Sequence, residues 1–384
     1  MLNKITIKNI NSIKECTIDF KKNKYTFLDE YILGNNVNPI ALYGHNGSGK
    51  SSMLKAIDYL IKLMCAPINV LRPFVVNQFE VNKYAKDFKN KDLIKGSIEL
   101  EFNNEDDNYK YYISTSLNQC IEEEYLYCNN IEIFKYEHTI IRKLLYKKKQ
   151  YNIEPNTSKL IPALRLLASK EINDKNILYA YDFISNFTFI NLPYQNSNIG
   201  FVTSLQYQNV NALDLMCEQS GTVKNILKKF DEFPLYNIKK EESQTNINNM
   251  PQYLLYLDGM DDSPLPLEYM SEGMRNTSLL LSILTTVKPN TCLFIDELDL
   301  SLHPTAIKEF IHEAINRKIQ LAFSIHNTNI LQELRPDQVY LVKWFKGYSK
   351  YKKISDIYPN IRQINNIEKM YLANAFDFGE VDES

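Results

Sequence analysis

Three glycines within six positions, one lysine and three serines crowd the stretch GHNGSGKSS, Gly44 to Ser52, directly behind the apolar run PIALY. The whole chain holds only 11 glycines, so this cluster is not a matter of composition. Bare backbone beside one cation fits a bound polyphosphate. Glycines let peptide N–H groups wrap the phosphates, and a helix opening at the lysine adds its partial positive charge. The stretch fits G-x-x-x-x-G-K-[ST] in full, between a strand pattern and a helix pattern. Gly44, Asn46, Gly47, Ser48, Gly49, Lys50, Ser51 and Ser52 are therefore the expected contacts of ATP. Lys50 would reach the β- and γ-phosphates, and Ser51 would ligate Mg2+. The bland alternative is a serine-capped glycine turn without a ligand, and the complete pattern argues against it.

Phosphate chemistry also needs acids. The apolar run TCLFIDE ends in Asp296-Glu297. At the end of a strand, Asp296 would hold Mg2+ directly or through water, and Glu297 would polarise the attacking water as general base. Asp299 is a second acid, less suited to that role because it lies past the strand end. His326 closes the run LAFSIH, and His303 stands before Pro304 in LSLHP. For His303 a helix cap and an inter-subunit contact stay equally open.

These groups need elements to position them. PIALYG reads as a buried strand, and in SSMLKAIDYLIKLM the residues Leu54, Ile57, Leu60 and Ile61 share one helical face. ITIKNI and ECTIDF form an N-terminal hairpin through NSIK. GSIELEFNN, YKYYISTSL, EEEYLYC and IEIFKYE alternate with period two, an antiparallel meander flanking the site. Between 150 and 230 the period turns helical, as in LIPALRLLASKEI and TVKNILKKFDEF, and NIKKEESQTNINNMPQ reads as a linker. QYLLYLDG resumes strand character. Beyond it helix and strand patterns alternate to QVYLVKWF, which predicts parallel pairing. The expected division is an N-terminal lobe over 1–149, a helical insertion with linker over 150–250 and a C-terminal lobe over 251–384.

The net charge of −2 gives no general attraction to nucleic acid. Six scattered cysteines, with no CxxC pair, read as reduced core thiols of a cytoplasmic protein. The charged, alternating start MLNKITIKNI is no signal peptide, and LLLSILTTV is far shorter than the roughly 20 residues of a membrane span. No membrane partner is expected.

Taken together, KNINSIKECTIDF, GHNGSGKSS, MSEGMRN, IDELDLSLHP, SIHNTNIL and NIEKMYLANAF resemble the ABC-type ATPases of the RecF and structural-maintenance-of-chromosomes group. Within it the chain is similar to compact prokaryotic ATPases with an AAA core domain, found in abortive-infection and restriction-linked defence loci. The resemblance implies an α/β fold: an ABC-type P-loop ATPase head with a mixed sheet, the meander and a helical insertion. It makes YMSEGMR a loose form of the Leu-Ser-Gly-Gly-Gln signature and His326 a switch histidine facing the γ-phosphate. Ser271 and Gly273 of a second copy would then close over the γ-phosphate, so a homodimer or higher homo-oligomer is implied. Asn11 stands where relatives commonly carry a basic residue, and Gln78 is a weak candidate for the Q-loop glutamine.

On this reading the chain is an ATP hydrolase that senses nucleotide state and regulates a separately encoded effector, a nuclease or toxin, in antiphage defence. The alternative is a RecF-like ATPase of DNA repair, with DNA as direct ligand at RKLLYKKK (142–149) or KWFKGYSKYKK (343–353). Solvated hairpins are the favoured explanation of those two stretches. A transporter subunit fits poorly, because the insertion between loop and signature is too long. His138 and His312 lack clustered partners for a nuclease, and only about 58 residues follow His326, too few for a fused domain of about 100. The helical middle or the hairpin at 339–354 would dock the effector.

Overall fold

The computed structural model describes residues 1–71, 95–116, 120–137, 143–147, 149–152, 159–169, 173–191, 201–202, 211–230, 233–241, 252–260, 263–299, 304–362, 365–373 and 375–376. Gln78, His138, His303 and residues 242–251 lie outside them.

Strands β1 (Leu2–Ile10) and β2 (Ile13–Asp19) form the expected hairpin, followed by the short pair β3 (Ile32–Leu33) and β4 (Asn36–Val37). β5 (Ile40–Tyr43) leads into the glycine loop and helix α1 (Lys50–Cys65). The meander is β6 (Lys95–Asn103), β7 (Asn108–Ser116), β8 (Ile121–Cys128) and β9 (Ile131–Glu137), extended by β10 (Lys143–Tyr146) and β11 (Lys149–Asn152). Helices α2 (Ala163–Ser169) and α3 (Lys175–Ser185) follow, then strands β12 (Thr188–Asn191) and β13 (Phe201–Val202). After α4 (Ala212–Glu218) and α5 (Ser220–Leu227) come β14 (Tyr236–Glu241), β15 (Gln252–Leu257) and β16 (Leu265–Pro266). The C-terminal part alternates α6 (Glu272–Thr286), β17 (Cys292–Asp296), α7 (Pro304–Asn316), β18 (Gln320–Ile325), β19 (Val339–Phe345) and β20 (Tyr348–Lys353), and ends in the short helices α8 (Ile354–Ile357) and α9 (Ile367–Leu372).

One mixed sheet carries the site. Its order is β11-β10-β9-β8-β7-β6-β1-β2-β20-β19-β5-β18-β17-β12-β13. The run β19-β5-β18-β17-β12 is parallel, and the meander half is antiparallel throughout. The fold class is thus the expected one: α/β with a mixed sheet, an antiparallel meander and a helical insertion.

The parallel strands are apolar without a break because both their faces are covered. Ile40 and Leu42 of β5 join a core beneath α1, α3 and the meander, whereas Ala41 and Tyr43 join a second core with α5, α6 and α7. Phe294 and Ile295 of β17 divide the same way. Helix α1 buries Met53, Leu54, Ile57, Leu60, Ile61 and Met64, a 3.6-residue stripe, and ends at Ala66, held extended by the proline that follows. Glu124 of β8, wholly buried, accepts N–H bonds from Ala163 (2.5 Å) and Leu164 (2.8 Å) at the start of α2, and the Tyr111 hydroxyl at 2.9 Å. Burial pushes its pKa up to about 7 against the pull of those three donors.

Two local expectations need correction. The stretch read as purely helical also supplies β12, which pairs in parallel with β17 inside the main sheet. Four residues between helix patterns, only two of them apolar, carry no period of their own. The linker NIKKEESQTNINNMPQ is strand at both described ends, because β14 pairs with β15 from Tyr236↔Leu257 to Glu241↔Gln252. Its lysines mask the inward-facing Tyr236 and Ile238.

Candidate functional site

Tight main-chain packing shapes the glycine loop. A Cβ at Gly44 would sit 2.1 Å from the Val342 carbonyl oxygen of β19. Gly49 caps α1 at φ 104°, and a Cβ there would fall 1.8 Å from Ser349 Oγ. Both positions therefore demand glycine for space, and Gly49 also for its left-handed backbone. The Tyr351 hydroxyl donates to the Gly49 carbonyl at 2.5 Å, and Ser12 Oγ lies 2.7 Å from both Ser52 Oγ and Ser349 Oγ. Asn11, at the preceding turn, donates to the Ser52 carbonyl at 3.4 Å.

Lys50 is buried in the loop it follows. Its Nζ donates to the carbonyls of Gly44 (2.6 Å) and His45 (3.2 Å) and stands 3.5 Å from His326 Nδ1. Burial lowers its pKa, opposed by the carboxylates of Asp296, Asp299 and Glu297. An anion brought to that ammonium would offset the cost of its burial.

The acids arrive from β17. Asp296 is 3% exposed, and its Oδ1 accepts two neutral hydroxyls, Ser51 at 3.0 Å and Ser324 at 2.6 Å. A buried carboxylate beside a serine hydroxyl is the hard-oxygen donor set that suits Mg2+. Glu297 follows with φ 55°, and its N–H donates to Ser324 Oγ at 2.7 Å. Its Oε1 lies 3.8 Å from His326 Nε2. Asp299 Oδ2 accepts the backbone N–H groups of His326 (2.7 Å) and Asn327 (2.5 Å).

These groups line one cavity of about 650 Å³. Asn46, Gly47, Gly49, Lys50, Ser51 and Ser52 come from the loop and α1, Glu297 and Asp299 from the end of β17, His326 from the end of β18, and Ser12 from the first hairpin. A polyphosphate seated there would meet a lysine, serine hydroxyls and a Glu–His pair, while Asp296 is off the lining and is linked to it by its bond to Ser51. Ser48 faces a neighbouring cavity of about 480 Å³ instead, with His45, Val342, Lys343 and the half-exposed Trp344.

The other predicted residues are elsewhere. Ser271 is the exposed N-cap of α6, its Oγ accepting Met274 N–H at 3.2 Å, and Gly273, second residue of the helix, is half-buried. Neither lines the cavity. Tyr236 of β14 pins this helix from behind through the Met274 carbonyl (3.2 Å) and the Ser278 hydroxyl.

Sequence reasoning missed Ser12, Ser324, Ser349 and Tyr351. Single hydroxyls that meet partners between 27 and 337 positions away leave no spacing signal. Among the described residues no group of three His, Cys, Asp or Glu side chains could hold a metal ion. None of the six cysteines is in a disulfide, and no described helix is long and apolar enough to cross a membrane.

A family model described as "AAA domain, putative AbiEii toxin, Type IV TA system" matches residues 40–331. No curated protein sequence matches the chain. Among solved structures it is similar to an Smc head bound to the C-winged helix domain of ScpA, at 15% identity over 91% of this chain and 96% of that one, with a TM-score of 0.49. The SMC head domain from Thermotoga maritima gives 12% identity, 92% and 98% coverage and a TM-score of 0.46. An Smc head with an extended coiled coil, bound to the C-terminal domain of ScpA derived from Pyrococcus furiosus, gives 13%, 91%, 95% and 0.44.

Proposed function

The chain belongs to this AAA-domain family, and from that premise we propose that it binds and hydrolyses MgATP at an interface shared by two copies. The observation that carries this reading is the convergence of Lys50, Ser51, Glu297 and His326 on one cavity, with Asp296 bonded to Ser51 at its base. Ser51 and Asp296 would hold Mg2+, which neutralises phosphate charge when bound. Lys50 exchanges its carbonyl partners for β- and γ-phosphate oxygens. Glu297 orients and deprotonates the attacking water, and His326, between Glu297 and Lys50, faces the γ-phosphate.

The signature residues of the same copy stay off the cavity lining, so the γ-phosphate side is left for a second copy to complete. Its Ser271 and Gly273 would supply a hydroxyl and peptide N–H groups at the exposed start of α6. ATP thus joins two chains, and hydrolysis releases them. The toxin–antitoxin wording of the family description supports a place in a two-component defence system, and we infer that the chain is the cytoplasmic regulator there, beside a separately encoded effector, a nuclease or toxin.

A second reading, DNA as a direct ligand, draws on the tip of the β19–β20 hairpin. There Trp344 and Lys346 are exposed and Lys350 Nζ stacks 3.9 Å over Phe345. A salt-dependent DNA shift lost on replacing Lys346 and Lys350 by alanine would favour it.

Glu297→Gln tests the main reading. It keeps the shape and removes the base. Turnover should fall at least about a hundredfold with ATP affinity held. Steady-state phosphate release beside equilibrium nucleotide titration checks this, and wild-type turnover in the variant would remove Glu297 from the mechanism.

A further inference from the structure

Two strand ends must keep their registry for Glu297 and His326 to face the same phosphate. β17 and β18 are parallel neighbours, paired from Cys292↔Gln320 to Ile295↔Phe323, but the ladder stops before either functional residue. Beyond it the chain makes an unfavourable move: Glu297 takes φ 55°, the left-handed region that side chains other than glycine avoid. Such a conformation persists only where its surroundings over-determine it.

The surroundings do so. Glu297 N–H donates to Ser324 Oγ at 2.7 Å, and Leu298 N–H to the Ser324 carbonyl at 3.0 Å. The curled segment then delivers Asp299 back onto the end of β18. There its Oδ2 takes the N–H groups of His326 (2.7 Å) and Asn327 (2.5 Å). Bonds to an ionised carboxylate are roughly twice as strong as neutral ones. Asp299 therefore grips the peptide from which the imidazole projects. That imidazole stands 3.8 Å from Glu297 Oε1 and 3.5 Å from Lys50 Nζ, placements that a small rotation of the peptide would spoil. Asp299 itself is poorly made for proton transfer. Its Oδ2 already carries two N–H groups, and its Oδ1 is sealed from solvent without a partner among the described residues.

We propose that Asp299 is a positioning residue that acts through the backbone of His326 and Asn327 to set the His326 imidazole against Glu297 and Lys50. The inference rests on the proposed ATPase reading.

A double-mutant cycle on the full chain tests it. Asp299→Asn keeps the size, and because both N–H groups go to one oxygen it replaces their charged acceptor with a neutral one. kcat should fall about tenfold or more while KM for ATP shifts less than about twofold, since the phosphate-binding loop is untouched. In the His326→Ala background the same change should cost nothing further, because its target is already gone. Asp299→Ser, smaller and still able to accept one N–H bond, serves the same test should the amide variant melt below the assay temperature. Wild-type kcat in Asp299→Asn, or a double mutant whose loss is the product of the two single losses, overturns the inference while leaving the ATPase reading intact. Loss of the fold in both Asp299 variants makes it a general brace and overturns the inference too. A wild-type chain without ATP hydrolysis overturns the proposed function, and this inference with it.

Discussion

The cavity around Lys50 and the start of α6 are both built on a turn that opens a helix, yet they are finished to different degrees. At the cavity the cation, the buried acid and the strand end are already held: Lys50 by two carbonyls, Asp296 by two hydroxyls, and the end of β18 by Asp299. At α6, Ser271 is exposed and spends its hydroxyl on an ordinary N-cap bond, while the rear of the helix is fastened through Tyr236. The difference teaches which half waits for something. A pre-organised pocket can bind a ligand alone. A rigidly backed but empty-handed helix start is suited to being pressed against another molecule.

The sharpest way to break this contrast is at the pocket. Lys50→Ala should weaken ATP binding by about a hundredfold, the loss of one or more charge-assisted bonds worth roughly 1.5–3 kcal/mol each. Fluorescence titration with a labelled nucleotide checks it, and unchanged affinity would mean the loop is not the phosphate site. Ser271→Arg should act on the other half only. A large cation there should leave ATP affinity within about threefold, abolish ATP-dependent association, and cut turnover about a hundredfold, the scale of losing one transition-state donor. Light scattering with and without ATP reads the association. Normal turnover by a monomeric Ser271→Arg chain would show that the cavity works unaided. The smallest effect is a control far from both. Glu124, with its pKa at about 7 against an ordinary 4.5, favours the fold most fully below pH 4.5, and that contribution is lost as pH rises through about 7. The wild-type melting midpoint should therefore fall more between pH 5 and pH 8 than that of Glu124→Gln, with turnover of the folded variant unchanged at fixed pH. Equal slopes would mean that the carboxyl is not perturbed.

What could be read in advance follows from the length scale of each signal. The glycine loop, the Asp296-Glu297 strand end and the meander are local patterns, and a sequence prints local patterns directly. The parallel core was legible because strands covered on both faces lose their alternation. β12 was not, because TFIN is too short to show a period, and β14 was not, because two lysines and a glutamate follow its two inward residues and hide the alternation. The least legible layer is the supporting one. Ser324 and Asp299 orient the acid and the histidine through bonds spanning 27 or 28 positions, and Ser12 meets Ser349 across 337. Nothing in the neighbourhood of a lone serine announces its distant partner. Asp299 was noticed as an acid and weighed as a base, whereas its bonds run to peptide N–H groups.

Trp344 stands beside the outer wall of the glycine loop, sharing a cavity with His45 to Ser48, and it is the only tryptophan in the chain. The molecule therefore carries a built-in optical probe at the rim of its candidate nucleotide site. Excitation at the red edge of the protein band selects this indole over 26 tyrosines. Because the ring is 54% exposed, its emission is open to quenchers in solution and sensitive to anything that covers it. Loop rearrangement, docking of a second copy and engagement of a partner at the hairpin can each be followed in real time on the unlabelled chain, by the colour and lifetime of one ring.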